Sequence, residues 1–214
     1  MEKEYLLPTK ICDVENVDIK MRSYLLTKNV FDEREKAIRI FNFVRDEIKY
    51  RFDYPSTKAS DTLKKGYGNC FNKANLQIAL LRSAGIYSGY KVYLIRKEVF
   101  KPIVPPEIYE LINEPTIHVS AAVWIDEKWI EADTTIDYEL YNCIYRNMEN
   151  WKYGEWDGEK DFTLPEEFIV EDQGIYSNID LYLLNPPKFW NDELLKEANT
   201  FIEGKVKNGK KQEI

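Results

Sequence analysis

The first clear pattern of hydrophobic and polar positions predicts a helix over residues 33–50. Apolar side chains there recur at the spacing of one buried helix face: Ala37, Ile38, Phe41, Val44 and Ile48. Asp32 precedes this stripe, and Glu35 follows three residues after Asp32. This spacing is the pattern of a capping box. Upstream, residues 17–31 indicate a short helix or an extended lead-in.

A second helix is predicted to begin at Cys70. Its inner face carries apolar residues at helical spacing: Ala74, Ile78, Leu81 and Ala84. Gly85 is a natural stop, because glycine readily takes the left-handed conformation that ends a helix. The preceding residues 51–68 are rich in proline and glycine and predict a loop, in which residues 59–65 could form one helical turn.

The middle of the chain predicts β structure. Residues 87–96 are rich in β-branched and aromatic side chains, and residues 117–125 and 128–134 form two further strands joined at Asp126-Glu127. Between them, residues 97–116 contain four prolines. The prolines predict a long irregular segment with one helical turn near residues 107–112. Because this segment leads into the strand that carries the only histidine, we expect it to shape a cleft.

Beyond residue 137 the pattern weakens. Residues 147–162 predict an aromatic-rich loop, residues 189–202 a C-terminal helix, and residues 205–214 a polar, lysine-rich tail that frays. We predict a single domain over residues 1–204, with a core over 33–137 and a C-terminal extension over 138–204. Its 214 residues and 44% hydrophobic content suffice for one large domain.

Charge and cysteine content exclude several classes. A net charge of −7 argues against a nucleic-acid partner. The three cysteines lack a C-x-x-C pair, which predicts reduced thiols and neither a disulfide framework nor a metal site. No calcium or phosphate-binding loop appears, so no cofactor is expected. The N-terminus lacks a signal-peptide pattern and no apolar stretch could span a membrane, which predicts a cytoplasmic protein. The sequence leaves the oligomeric state open.

Cys70 is the first candidate for chemistry. Thiolate is the reactive form of cysteine, and a helix N-terminus favours its negative charge. Unpaired amides of the first helical turn could also bind an oxyanion. Gly66 and Gly68 allow the backbone to approach a substrate closely. The alternative is that Cys70 is a small buried hydrophobic residue, as most free cysteines are.

His118 is the only histidine, so any histidine-dependent chemistry has one candidate. If Asp126-Glu127 forms a two-residue turn, His118 shares a strand face with Asp133 as its diagonal neighbour, within reach of an imidazole and a carboxylate. Asp133 would then orient the imidazole while the other ring nitrogen serves the thiol. Glu131 and Asp137 are rival carboxylates, and Asp133 could instead begin a turn with Thr134 and Thr135.

Two segments around these residues resemble the transglutaminase-like superfamily. One is Gly66-Tyr-Gly-Asn-Cys70 continuing through Leu80-Leu-Arg-Ser-Ala-Gly-Ile86, and the other is His118 followed by Trp129-Ile-Glu-Ala-Asp133-Thr-Thr135. The resemblance covers about residues 33–137. It implies a papain-like α+β fold, with the nucleophile at a helix N-terminus packed on an antiparallel sheet that carries the histidine and the aspartate. It also implies that Cys70, His118 and Asp133 act as nucleophile, base and orienting acid.

These observations predict a thiol enzyme that transfers the acyl group of an amide, with a protein or peptide as substrate. Hydrolysis is favoured over cross-linking to an amine. The alternatives are a non-catalytic interaction module that retains the fold and an arylamine-type acyltransferase. Candidate substrate-binding residues are Tyr67 and Asn69, which flank the nucleophile, and Trp151 and Trp156, although aromatics in loops more often cover the edge of a core.

Overall fold

The protein has a mixed α+β fold in the computed structural model, which describes residues 1–148, 150–151, 153–183 and 190–211. The α helices are α1 Val17–Thr27, α2 Glu33–Glu47, α3 Ala59–Lys65, α4 Cys70–Ser83, α5 Pro106–Tyr109, α6 Tyr138–Cys143 and α7 Asp192–Lys211. The strands are β1 Lys49–Tyr50, β2 Tyr67–Gly68, β3 Ser88–Ile95, β4 Thr116–Ile125, β5 Lys128–Ala132 and β6 Ile169–Tyr176. Helices α1 to α4 precede the strands β3 to β6 along the chain, as the sequence predicts, whereas α5, α6 and α7 lie between or after those strands.

The main sheet is antiparallel and has the strand order β5-β4-β3-β6. The hairpin of β4 and β5 turns at Asp126 and Glu127, whose φ angles of 49° and 62° are typical of a type I′ turn. Trp124 pairs with Trp129 and Ala122 with Glu131. This is the predicted register, and it decides which side chains share a face with His118.

Helix α2 begins as predicted but ends earlier. Asp32 caps it by accepting from the amide of Arg34, while the Glu35 carboxylate accepts from Arg39 Nε at 2.8 Å rather than completing a capping box. The helix stops at Glu47 because Lys49 and the next residue form a short parallel pairing with residues 67–68. That pairing brings the end of α2 beside the loop that leads to Cys70.

Helix α4 is central to the fold. The sequence pattern predicts one inner face, but every residue from Cys70 to Arg82 is buried. The reason is that α1, α2 and α3 contact α4 in addition to β3 and β4. Several of its polar side chains are therefore bonded internally: Asn75, for example, donates to Ile11 O at 3.0 Å and accepts from Tyr90 at 2.7 Å. A helix buried on all sides provides a rigid base for the residue at its first position.

The C-terminal helix differs from its prediction at both ends. It begins at Asp192 rather than 189 and continues to Lys211, so the expected frayed tail is helical over residues 205–211. Ile202 and Val206 are buried in the cluster that also contains Tyr50 and Phe52, and this packing stabilises the last turns. Three predicted segments lie partly outside the described residues: the tail at 212–214, the C-terminal helix at 189, and the aromatic loop at 149 and 152. The single domain over 1–204 stays a prediction.

Candidate active site

Cys70 occupies the first position of α4, where the sequence places it. Asn69 and Asn72 form a capping box: Asn72 N donates to Asn69 Oδ1 at 3.3 Å, and Asn69 N donates to Asn72 Oδ1 at 3.0 Å. A Cβ on Gly68 would lie 2.5 Å from the Cβ of Asn72, so glycine is required there. The backbone just before Cys70 therefore follows a path that only glycine can take at position 68.

His118 lies in β4, and its Nε2 is 2.9 Å from Asp133 Oδ2. Both side chains are buried, with 5% and 7% of their surface exposed. The other carboxylate oxygen of Asp133 accepts from the amide of Thr135 at 2.8 Å. Asp133 therefore begins a turn and also binds the imidazole, so the two interpretations of this residue are compatible.

The imidazole of His118 and the thiol of Cys70 border one small cavity, and Cys70 is among the groups that raise the pKa of the ring. Since Nε2 faces Asp133, Nδ1 is the nitrogen left for the sulfur. Burial on its own lowers the pKa of His118, but the charge of Asp133 and the bonds to Asp133 and Cys70 outweigh it and hold the pKa well above its usual value. The raised pKa thus favours an imidazolium beside the carboxylate of Asp133.

The pKa of Asp133 moves in the opposite direction. Burial raises it, but the charge of His118 and hydrogen bonds from His118 and Thr135 leave it below its usual value. A carboxylate held in its ionised form beside an imidazolium is what an orienting acid requires.

The two rival carboxylates have other partners. Glu131 accepts from Tyr93 at 2.6 Å and from Ser120 at 2.5 Å. Burial raises the pKa of Glu131 to about 7, with the nearby Asp133 adding to the rise. Asp137 accepts from the amide of Tyr50 at 2.7 Å and caps α6. Asp133 is the carboxylate that contacts the imidazole among the three candidates.

The four predicted substrate-binding residues are placed differently from one another. Asn69 and Trp151 each line a cavity beside Cys70, although the side chain of Asn69 is already used in capping. Tyr67 belongs to the short strand β2 and lines neither of the two cavities. Trp156 is 3% exposed and packs on Phe41 in the core, with ring centroids 5.2 Å apart. The structure therefore does not bring Tyr67 and Trp156 to the site.

Two cavities meet at Cys70. The larger, of about 300 Å³, extends from Cys70 between β3, β4 and the segment that the sequence predicts to shape a cleft, from which Phe100 and Ile112 contribute. The smaller, of about 30 Å³, is bordered by Cys70, His118 and Asp133. Sequence reasoning missed most of the large cavity's lining, because apolar residues such as Leu94 have the same signature as core residues.

Comparison with protein families decides the classification. The model of the transglutaminase-like superfamily matches residues 21–134, just over half of the chain. The chain belongs to the transglutaminase-like superfamily. Its helices and antiparallel sheet form the α+β papain-like core expected of that superfamily. Membership supports a papain-like cysteine enzyme as the general class.

Two solved structures resemble this superfamily member over part of its length. One is described as "a Putative Cysteine Protease from Cytophaga hutchinsonii", with 22% identity, a TM-score of 0.49, and coverage of 61% of this chain and 40% of the other. The second is "a putative protease from Parabacteroides distasonis ATCC 8503", with 16% identity, a TM-score of 0.42, and coverage of 57% and 24%. This chain thus spans less than half the length of either. No curated protein matches it significantly.

The described residues contain neither a metal-binding cluster nor a membrane-spanning helix. Over that part of the chain, His, Cys, Asp and Glu form no group of three or more suited to a metal ion. None of its helices combines the length and the apolar character needed to cross a membrane.

Proposed function

We propose that this protein cleaves an amide or peptide bond by thiol-dependent acyl transfer, with Cys70 as nucleophile, His118 as acid and base, and Asp133 as the orienting carboxylate. The observation that carries the proposal is the position of His118, whose Nε2 lies 2.9 Å from Asp133 and which borders the same small cavity as Cys70. Nucleophilic cysteine enzymes need this chain of contacts, because the base activates the thiol and the carboxylate fixes the ring.

The reaction follows from these contacts. The Cys70 thiolate, paired with the His118 imidazolium, attacks the carbonyl carbon and forms a tetrahedral oxyanion. When the carbon–nitrogen bond breaks, His118 donates its proton to the departing amine and a thioester remains on Cys70. Water then loses a proton to His118 and attacks the thioester, which releases a carboxylic acid and restores the thiol.

Backbone amides at the start of α4 are suited to bind the oxyanion. Asn72 N already donates to Asn69 Oδ1, and Lys73 N donates to Asn69 O. The first four amides of a helix lack intrahelical acceptors and can bond only to the cap or to a ligand. In the described part of the chain, the amides of Cys70 and Phe71 are therefore left for a ligand. We assign these two amides to the oxyanion.

Water is the proposed acceptor of the acyl group. The cavity of about 30 Å³ bordered by Cys70 and His118 is large enough for a water molecule. Transfer to an amine would require a second substrate in the place that the departing amine occupies, and apart from His118 and Asp133 the described residues that border this cavity carry no charge to recognise one. Hydrolysis is therefore favoured over cross-linking and over acetylation of an arylamine.

The test is a comparison of wild type with Cys70→Ala and His118→Ala on a library of fluorogenic peptide amides. Cleavage by wild type should fall to background in both variants. Iodoacetamide should alkylate Cys70 faster than buried Cys12 or half-buried Cys143, and His118→Ala should slow that reaction.

Three outcomes would contradict the proposal. Cleavage that persists in Cys70→Ala would exclude Cys70 as the nucleophile. An unreactive Cys70 in a folded protein would favour the non-catalytic interaction module. Incorporation of a fluorescent amine into casein at a rate above that of cleavage would replace hydrolysis by cross-linking.

A further inference from the structure

The cavity of about 300 Å³ beside Cys70 has the size of a ligand pocket. Its walls come from the loop after β1, from the start of α4, from the facing ends of β3 and β4, and from Trp190 near α7. Parts of the chain far apart in sequence therefore converge on one space that opens at the nucleophile.

The chemistry of the walls is uniform. The described residues that line the cavity are uncharged, and aromatic rings form one side of it. The ring of Phe52 lies tilted against those of Phe100 and Trp190, with ring centroids 6.2 Å and 6.4 Å apart. Leu94 and Ile117 are directly paired across β3 and β4 and form the opposite side. A charged group placed here would lose its hydration without gaining an opposite charge from these residues.

The sheet separates this cavity from the catalytic imidazole. Tyr93 pairs with His118, and Leu94 pairs with Ile117, one position along the same strands. Because successive side chains of a strand point to opposite faces, Leu94 and Ile117 lie on the face away from His118. Cys70 lines both cavities, so a carbonyl at its sulfur has the imidazole on one side and the apolar pocket on the other.

This arrangement distinguishes the two halves of a substrate. The departing amine must lie beside His118, because it receives a proton from that ring. The acyl half then extends from the carbonyl away from His118, towards Leu94 and the aromatic wall.

We propose that the large cavity is the acyl-side specificity pocket, and that it selects substrates whose acyl half carries an uncharged apolar side chain, with an aromatic ring preferred. This inference rests on the proposed function, since it assumes that Cys70 attacks a carbonyl. The inference adds the substrate class. The bond cleaved should follow an apolar or aromatic residue, not an acidic or basic residue.

The experiment measures covalent labelling of Cys70 by peptide chloromethyl ketones that differ only in the acyl-side residue, namely Phe, Ala, Asp or Lys. The rate for each probe is divided by the rate with iodoacetamide, which has no side chain to place. Burial of one aromatic side chain predicts that the Phe probe reacts at least ~10-fold faster than the Asp and Lys probes.

Two variants test the assignment of the pocket. Leu94→Glu adds a charge to its wall and should remove the preference for Phe over Lys. Asn113→Glu adds a charge at its exposed rim, where folding is little affected, and should raise labelling by the Lys probe relative to the Asp probe. Leu25→Glu is the matched control, because Leu25 is 47% exposed on α1 and should leave the ranking of probes unchanged.

Binding to the Cys70→Ala variant separates the two proposals. N-acetyl amino-acid amides of Phe, Ala, Asp and Lys are titrated against this variant, and binding should favour Phe. If Cys70 proves unreactive but Phe still binds preferentially, the function fails while the pocket stands. If Cys70 is reactive but the four probes label it equally and the four amides bind equally, the pocket proposal is overturned and the nucleophile is retained.

Discussion

At the scale of single residues, the site depends on one imidazole that is held by a buried carboxylate. Asp133 contacts His118 through one oxygen and the amide of Thr135 through the other, so its orientation is fixed at both ends. This double use leaves the carboxylate little freedom to rotate away from the ring. The raised pKa of His118 and the lowered pKa of Asp133 both follow from that single contact and the burial around it.

Asp133→Asn should lower the pKa of His118, because the amide keeps the shape of the carboxylate but removes its charge. Cleavage of the best peptide amide should fall by roughly 10²–10⁴ in kcat/KM. His118 is the only histidine, so its ring signals in an NMR titration report the pKa without overlap. Asp61→Asn, on the exposed side of α3, is the control. An unchanged titration midpoint in Asp133→Asn would contradict the assignment.

Glu131 should make the protein less stable as the pH rises. Burial raises its pKa to about 7, so between about pH 4.5 and 7 the folded state holds a proton that the unfolded state has lost. The free energy of unfolding therefore decreases across that window. Glu131→Gln imitates the protonated acid and should remove the decrease, which amounts to about 3 kcal/mol at most.

Urea unfolding of wild type and Glu131→Gln at pH 5 and pH 9 measures this effect. The free energy of unfolding of the variant, measured relative to that of wild type, should be higher at pH 9 than at pH 5. Glu171→Gln, on an exposed position of β6, is the matched control. The same difference in stability at both pH values would show that Glu131 is not the titrating group.

At the scale of elements, α4 positions Cys70, the proposed nucleophile, and one buried lysine links α4 to the end of α2. Lys73 Nζ donates to Arg45 O at 3.0 Å and to Ile48 O at 2.6 Å. These carbonyls belong to the end of α2, where the last carbonyls of a helix lack intrahelical donors. Lys73 is fully buried, and burial lowers its pKa to about 8 despite the nearby carboxylates of Asp137 and Asp46.

Lys73→Met should destabilise the protein by about 2–6 kcal/mol. Methionine fills a similar volume, but it leaves the two carbonyls buried without donors, at about 1–3 kcal/mol for each. Thermal and urea unfolding measure the loss. Lys64→Met, at an exposed position of α3, should change stability by less than about 0.5 kcal/mol. Equal effects of the two substitutions would exclude Lys73 as the C-terminal cap of α2.

At the scale of the whole molecule, the C-terminal helix takes part in forming the pocket. Asn199 of α7 accepts from Phe52 N at 2.8 Å and donates to Phe52 O at 2.9 Å. Phe52 in turn lines the large cavity. The helix thus fixes the backbone of a pocket residue 147 positions away in the sequence, which gives the predicted C-terminal extension a structural role beside the core.

Asn199→Leu should reduce both stability and acyl-side selectivity. Leucine has a similar size, but it cannot make the two hydrogen bonds to the Phe52 backbone, and their loss should cost about 1–3 kcal/mol. The preference for the Phe probe over the Ala probe should decrease, while alkylation of Cys70 by iodoacetamide should stay close to that of wild type. A variant that loses stability but keeps the full preference for Phe would show that α7 does not shape the pocket.

Local sequence determined the parts of this protein that depend on neighbours along the chain. Asp126-Glu127 sets a two-residue turn, the turn sets the register of β4 and β5, and the register brings Asp133 beside His118. The start of α4 at Cys70 likewise follows from the residues just before it. These features were predictable because turns, caps and strand pairing act over a few residues.

Only the tertiary structure decided the features that depend on which surfaces meet. Trp151 and Trp156 come from one aromatic segment, yet one lines a cavity beside Cys70 and the other enters the core against Phe41. The helix α7 continues past its predicted end because Val206 finds an apolar partner surface. The sequence determines that these side chains are apolar, but the hydrophobic effect has no direction, so the packing of distant segments alone determines whether each one fills a core or borders a pocket.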